Sequence, residues 1–194
     1  MLYILENWPL AFVCFAMIVA AIIDGWKLKV PNWLTFPLVI SGWLLGLLHN
    51  FELLPGTGSG GIGASLAGTF LGFGLLFPVY AIGGMGAGDV KMQMGFGAWI
   101  GSFYGLPAAL NVIFWAFVVA VLIGGVIAAL MIAFRKNFRE NVSNTREILG
   151  DLFSGKGIGA IHEKAKDRKP RLHLLPYGIP LCLGFVGYLA YLSW

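Results

Sequence analysis

Residues 106–134 read LPAALNVIFWAFVVAVLIGGVIAALMIAF, 29 positions with no Asp, Glu, Lys or Arg. A hydrocarbon core takes about 20 apolar residues to cross as a helix, so this stretch alone predicts a membrane span. The rest of the chain agrees: of its 194 residues 58% are hydrophobic and 11% charged, with mean hydropathy +0.82. An ordinary soluble domain has an apolar share of about 45 to 50%. Working outward, the pattern predicts spans over Pro9 to Ile23, Trp33 to Leu48 and Ala64 to Ile82, then a short Gly-rich span from Val90 to Tyr104, and a last one from Leu172 to Trp194. Because the Val90 to Tyr104 segment is short and Gly-rich, a tilted or partly re-entrant course in protein-lined surroundings is the alternative, and spanning is expected. The expected fold is all-α, a polytopic bundle of about six transmembrane helices.

Charge placement sets the expected orientation. All 13 Lys and Arg fall at Lys27 and Lys29, at Lys91, and from Arg135 to Arg171. These places must share one side, the cytoplasm by the positive-inside rule, while the segments near Glu6, Glu52 and Ser102 carry no base. A multi-pass protein of the cytoplasmic membrane follows, with both termini outside. The net charge of +4 then reflects topology. Its bases flank apolar spans, which points to anionic lipid as the partner rather than nucleic acid.

Residues 1–194 read as one membrane-embedded domain, with residues 135–171 a basic loop inside it and no internal repeat. Cys14 and Cys182 sit singly in apolar runs, which suits packing rather than zinc. His49, His162 and His173 lack metal-ligand spacing, so neither a metal nor a cofactor is implied. The first run lacks the basic start and small-residue cleavage site of a secretory signal and reads as a retained span. Small residues recur four apart at Gly60, Ala64, Gly68 and Gly72, and again at Gly97, Gly101 and Gly105. Such stripes let helix backbones approach closely, and Gly is also simply common in membrane helices.

Two carboxylates stand out. Asp24 ends the first apolar run, and Asp89 lies in Met85-Gly86-Ala87-Gly88-Asp89-Val90-Lys91. A carboxylate at membrane depth costs on the order of 2.5 to 3.5 kcal/mol even on lenient scales, so two at one face need a reason. Either alone is explained by snorkelling to the interface. As a pair they fit a shared proton, one acid protonated beside one carboxylate, which is the arrangement that activates water in aspartic proteases. Gly86 and Gly88, lacking a Cβ, would let backbone approach a bound peptide, and are the substrate-binding candidates. Asp24 ends its helix and Asp89 begins its own, so opposed helix dipoles assign Asp89 as base and Asp24 as acid. Lys91 is accounted for by the positive-inside rule, with electrostatic tuning of the pair as the alternative.

The stretch Gly86-Ala87-Gly88-Asp89-Val90-Lys91 resembles the G-x-G-D motif of the type IV prepilin peptidases, whose core is shared with presenilin-type proteases. Asp24, seven residues before Pro31-Asn32, resembles that family's first catalytic aspartate, and Leu175-Pro176-Tyr177-Gly178-Ile179-Pro180 resembles its last-helix motif. The resemblance covers nearly the whole length and implies Asp24 and Asp89 as the catalytic pair. It also implies cleavage of a basic leader from pilin-like precursors at the cytoplasmic membrane face, in type IV pilus or protein secretion systems. Larger members carry a cytoplasmic insertion with paired cysteines and methylate the new N-terminus. No such insertion is found here, so methyltransferase activity is not expected.

Two rivals stand beside this reading. A small proton- or cation-coupled transporter would use the same acids as a relay, but would call for acids deeper in the spans with polar counterparts. A non-catalytic assembly subunit of a pilus or secretion system would keep the fold without the reaction.

Overall fold

The structure is a computed structural model that describes residues 7–81, 84–134 and 176–193; the basic loop, with His162 and His173, lies outside them. The described residues form six helices and no strand: α1 (Trp8–Lys27), α2 (Asn32–Asn50), α3 (Ile62–Ala81), α4 (Ala87–Tyr104), α5 (Leu106–Phe134) and α6 (Gly178–Ser193). Four of them, α1, α2, α3 and α5, are long and apolar enough to cross a membrane. Large apolar side chains such as Phe15, Phe70, Leu122 and Leu130 point outward, whereas Thr35, Ser65, Gln93 and Ser102 are buried. That arrangement suits a lipid solvent, and the chain is a polytopic membrane protein built as a helical bundle.

Local chemistry sets the helix ends. Pro9 sits in the first turn of α1, where its missing N–H leaves no bond unmade. At the other end Leu28 turns left-handed (φ 50°) and its N–H closes on the Asp24 carbonyl at 2.8 Å. α1 therefore continues one turn beyond the apolar run and carries Asp24 inside the helix instead of just past it. Extended Pro31 starts α2, as the Pro-Asn pair predicts. The expected last span begins later than Leu172, because Tyr177 lies in a turn and the helix starts only at Gly178.

The least apolar helix is the central one. α4 packs on α1, α2, α3 and α5, and its Phe96 stacks on Phe185 of α6 with ring centroids 4.3 Å apart. Its neighbours, not lipid, surround it, so it needs no greasy surface, and it is one continuous helix with no re-entrant break. The glycine stripes explain how α3 comes so near. A Cβ on Gly68 would strike the Gly97 carbonyl, one on Gly101 would strike that of Ala64, and one on Gly72 would lie 2.6 Å from the Gln93 carbonyl oxygen. Backbone lies on backbone there, which van der Waals packing in membranes rewards.

Hydroxyls and indoles lock the same layer. Ser65 Oγ shares its proton between the carbonyls of Gly42 (3.1 Å) and Ala98 (2.9 Å), and Ser102 Oγ does the same at 2.7 and 2.9 Å. Trp43 Nε1 donates to Thr69 Oγ1, and Trp99 Nε1 to the Leu38 carbonyl, each at 2.9 Å. At the end far from the aspartates, His49 Nδ1 donates to the carbonyls of Gly60 (3.0 Å) and Ser102 (2.9 Å), so this nitrogen carries the proton. His49 thus ties α2 to the α2–α3 loop and to the last turn of α4.

Candidate active site

Three helix ends meet at one end of the bundle: the C-terminus of α1 and the N-termini of α4 and α6. α1 and α6 pack together, and α2 and α4 run parallel, with Lys91 Nζ donating to Asn32 Oδ1 at 2.9 Å near their starts. Asp24 and Asp89 therefore come to the same end.

Asp24 occupies the last turn of α1 and is 3% exposed. Its Oδ2 accepts the backbone N–H of Gly178 at 2.8 Å. That N–H opens α6, and the first N–H groups of a helix have no partner within the helix, so an anionic oxygen fits there. Gly178 has no room for more: a Cβ on it would lie 2.9 Å from both Cβ and Oδ2 of Asp24.

Asp89 is the third residue of α4, behind the N-cap Gly86, and is 5% exposed. Its carboxylate accepts the Gly86 N–H, the acidic half of a capping box. Its other oxygen, Oδ1, is buried and has no protein partner among the described residues. Asp24 and Asp89 interact electrostatically, and the Asp89 charge also reaches Tyr177. The two carboxyls and this phenol, contributed by three separate chain segments, form one cluster.

The candidate glycines differ in surroundings. Gly86 is exposed beside Asp89, while Gly88 is pressed on the turn after α1, where a Cβ would lie 2.7 Å from the Val30 carbonyl oxygen. The missing Cβ at Gly88 is thus used for packing against the chain's own backbone. Lys91 is held by Asn32 and sits 4.5 Å from the centroid of the Phe36 ring. The assignment of acid and base from opposed dipoles loses its basis here, because Asp24 faces the N-terminus of α6 as well as the C-terminus of α1.

Two groups at this site were not picked out from the sequence as site residues, the Gly178 N–H and Tyr177. The signal available was the Pro176-Tyr177-Gly178-Ile179-Pro180 run, a pattern that starts a helix sharply and leaves a backbone donor free.

No curated protein and no solved structure matches the chain. The profile of the type IV leader peptidase family matches residues 11–137, more than half of the sequence, a range that takes in most of α1, all of α2 to α5 and both aspartates. With the helical membrane bundle described above, this match shows that the chain belongs to the type IV leader peptidase family.

Proposed function

We propose that the protein is an aspartic endopeptidase that removes the basic leader from pilin-like precursors at the cytoplasmic face of the membrane, with Asp24 and Asp89 as its catalytic pair. The observation that carries this reading is the pairing itself: two buried carboxyls from α1 and α4 that interact electrostatically, one with an oxygen that has no partner among the described residues. A buried acceptor without a partner is costly, and active sites are where such groups persist.

In the proposed reaction the pair shares one proton. Whichever carboxyl of the pair is ionised takes a proton from water as the oxygen attacks the scissile carbonyl carbon. Its protonated partner gives a proton to the amide nitrogen as the C–N bond breaks. A new carboxyl and a new amine leave, and one water is consumed. Lys27 ends α1 and Lys91 lies in the first turns of α4, so bases gather at the aspartate end, which supports a cytoplasmic orientation. Exposed Gly86 is the natural point of approach for substrate backbone. Peptidase action without methyl transfer is part of the same proposal.

The test uses purified protein in lipid, a panel of pilin-like precursors, and the variants Asp24→Asn and Asp89→Asn. Cleavage by the wild type that either variant abolishes is the expected result. Ion flux that depends on the same aspartates, with no precursor cleaved, would make the protein a transporter instead.

A further inference from the structure

The turn that follows α1 is fastened along its whole length. Its first residue, Leu28, donates its N–H to the carbonyl of Asp24 at 2.8 Å, so the turn starts on a candidate catalytic residue. Two residues on, buried Val30 lies against Gly88, where a Cβ would come 2.7 Å from the Val30 carbonyl oxygen and 3.0 Å from its Cβ. Asn32, the first residue of α2, then accepts a hydrogen bond from Lys91 Nζ at 2.9 Å. Gly88 and Lys91 flank Asp89 in the first turns of α4. The stretch from Asp24 to Asn32 thus runs from the backbone of one aspartate to the helix turn that carries the other.

A single contact at Val30 would leave this turn free to pivot on α4, and the second, at Lys91, fixes its angle. Lysine has a long flexible stem and gives up rotamer freedom when its ammonium is held in one place, so a surface lysine ordinarily stays loose. Here Asn32 and Phe36 stand one helical turn apart on the same face of α2, and the ammonium meets both. It is bonded to the amide oxygen of one and lies 4.5 Å from the ring centroid of the other. That partner is a neutral amide and not a carboxylate. Residues two apart on a helix do not face each other, so the side chains of Asp89 and Lys91 leave α4 in different directions. The positive-inside rule asks only for a base at this end, with no particular partner.

We propose that Lys91 is a positioning residue for the aspartate pair: through Asn32 it locks the α1–α2 turn onto α4 and so sets the gap between Asp24 and Asp89. This rests on the aspartic-dyad reading, in which two carboxyls on different helices must keep a spacing that one proton and one water can bridge. Misplacing a reacting group by about 1 Å costs on the order of a hundredfold in rate, so a strut that removes part of that play acts on the rate far more than on stability. A hydrogen bond near the surface contributes little to folding, because water serves both groups when it breaks.

The test compares wild type with Lys91→Met, Asn32→Ala, the double variant and Lys91→Arg in precursor cleavage and thermal unfolding. A second arm needs no substrate. With Cys14→Ala and Cys182→Ala in place, nitroxide labels at Lys29→Cys and Ala87→Cys, the neighbours of Val30 and Gly88, report the separation of turn and α4 through their dipolar broadening. Expected is a kcat lower by about tenfold in Lys91→Met and in Asn32→Ala, with KM within about twofold, and a double variant no slower than the worse single, since both changes remove one strut. Lys91→Arg, which can still donate to Asn32 and lie on Phe36, should stay within about threefold of wild type. Melting points should move little, and the dipolar broadening should weaken in Lys91→Met and Asn32→Ala. A silent Asn32→Ala beside an impaired Lys91→Met overturns the proposal in favour of charge alone. Losses that multiply in the double variant overturn it too, as do label spectra that neither change alters. The spectra are read without precursor, so a failure to find a cleaved precursor counts against the peptidase reading and leaves the strut to be decided by the labels.

Discussion

Gly178 and Asp24 are 154 positions apart in sequence, yet the N–H of one bonds the carboxylate of the other at 2.8 Å. The last helix of the bundle is thereby keyed to the first at the oxygen of a candidate catalytic acid. Because a Cβ on Gly178 would come within 2.9 Å of Asp24 Oδ2, Gly178→Ala should push the carboxyl aside. A displacement of about 1 Å at a reacting group costs on the order of a hundredfold in rate. Precursor cleavage by Gly178→Ala should fall by roughly 10- to 100-fold on that scale, while the melting point shows that the variant still folds.

The contact between α3 and α4 predicts opposite outcomes for two glycines. Gly97→Ala would drive a methyl into the Gly68 carbonyl, whereas a Cβ on Gly74 meets nothing within 4 Å. Overpacking of this kind costs about 1–3 kcal/mol, so Gly97→Ala should lower stability by that amount in mixed-micelle unfolding. Gly74→Ala, in the interior of α3, should instead gain roughly 0.5–1 kcal/mol from reduced backbone freedom. Equal effects from the two would contradict the packing described here.

Ser65 and Ser102 converge on the same two carbonyls, those of Gly42 and Ala98. Interhelical hydrogen bonds in membrane proteins average about 0.6 kcal/mol and reach about 1.7. Either serine replaced by Ala should therefore cost up to about 1.7 kcal/mol. The double variant should cost more than the sum of the two, because either hydroxyl alone still serves the shared acceptors and only the double change leaves them without a side-chain donor. A double-mutant cycle in unfolding free energy measures the difference.

His49 works at the far end from the aspartates. Its Nδ1–H serves two carbonyls, and its Nε2 lies 2.9 Å from Thr57 Oγ1. His49→Phe keeps an aromatic ring and removes these bonds, leaving the Gly60 carbonyl without its side-chain donor and the Ser102 carbonyl with the Gly60 N–H at 3.0 Å. Stability should drop by about 1–3 kcal/mol, the cost of stranded polar groups. Precursor cleavage at the opposite end should stay within twofold of wild type, with denaturant melts and initial rates as the two readouts.

Sequence periodicity went far because lipid imposes a simple demand on exposed helices. The stretch 106–134 is helical from end to end as read, and the Pro31-Asn32 turn starts α2 where expected. Sidedness of charge predicted that Asp24 and Asp89 share an end, and the helix directions bear this out. The repeated small residues on α3 and α4 do meet, carbonyl against Cα. What the sequence hid was what tertiary burial decides. Val90 to Tyr104 looked marginal as a span because hydropathy measures fitness for lipid, and α4 meets mostly protein. The donor to Asp24 escaped notice because it is a backbone N–H, and no letter of the alphabet marks one. His49, noted in the sequence only for lacking metal-ligand spacing, clamps three segments, since which carbonyls point at a ring depends on distant turns.

The enclosure of α4 has a consequence for how the chain enters the bilayer during synthesis. A segment with Asp89, Lys91 and Gln93 in its first two turns is a poor candidate for partitioning out of the insertion machinery by itself. Its glycine-faced neighbour α3 carries no charged residue and fits it backbone to backbone. The two should therefore leave the translocation channel together as a hairpin, so that membrane insertion is expected to depend on that seam of small residues.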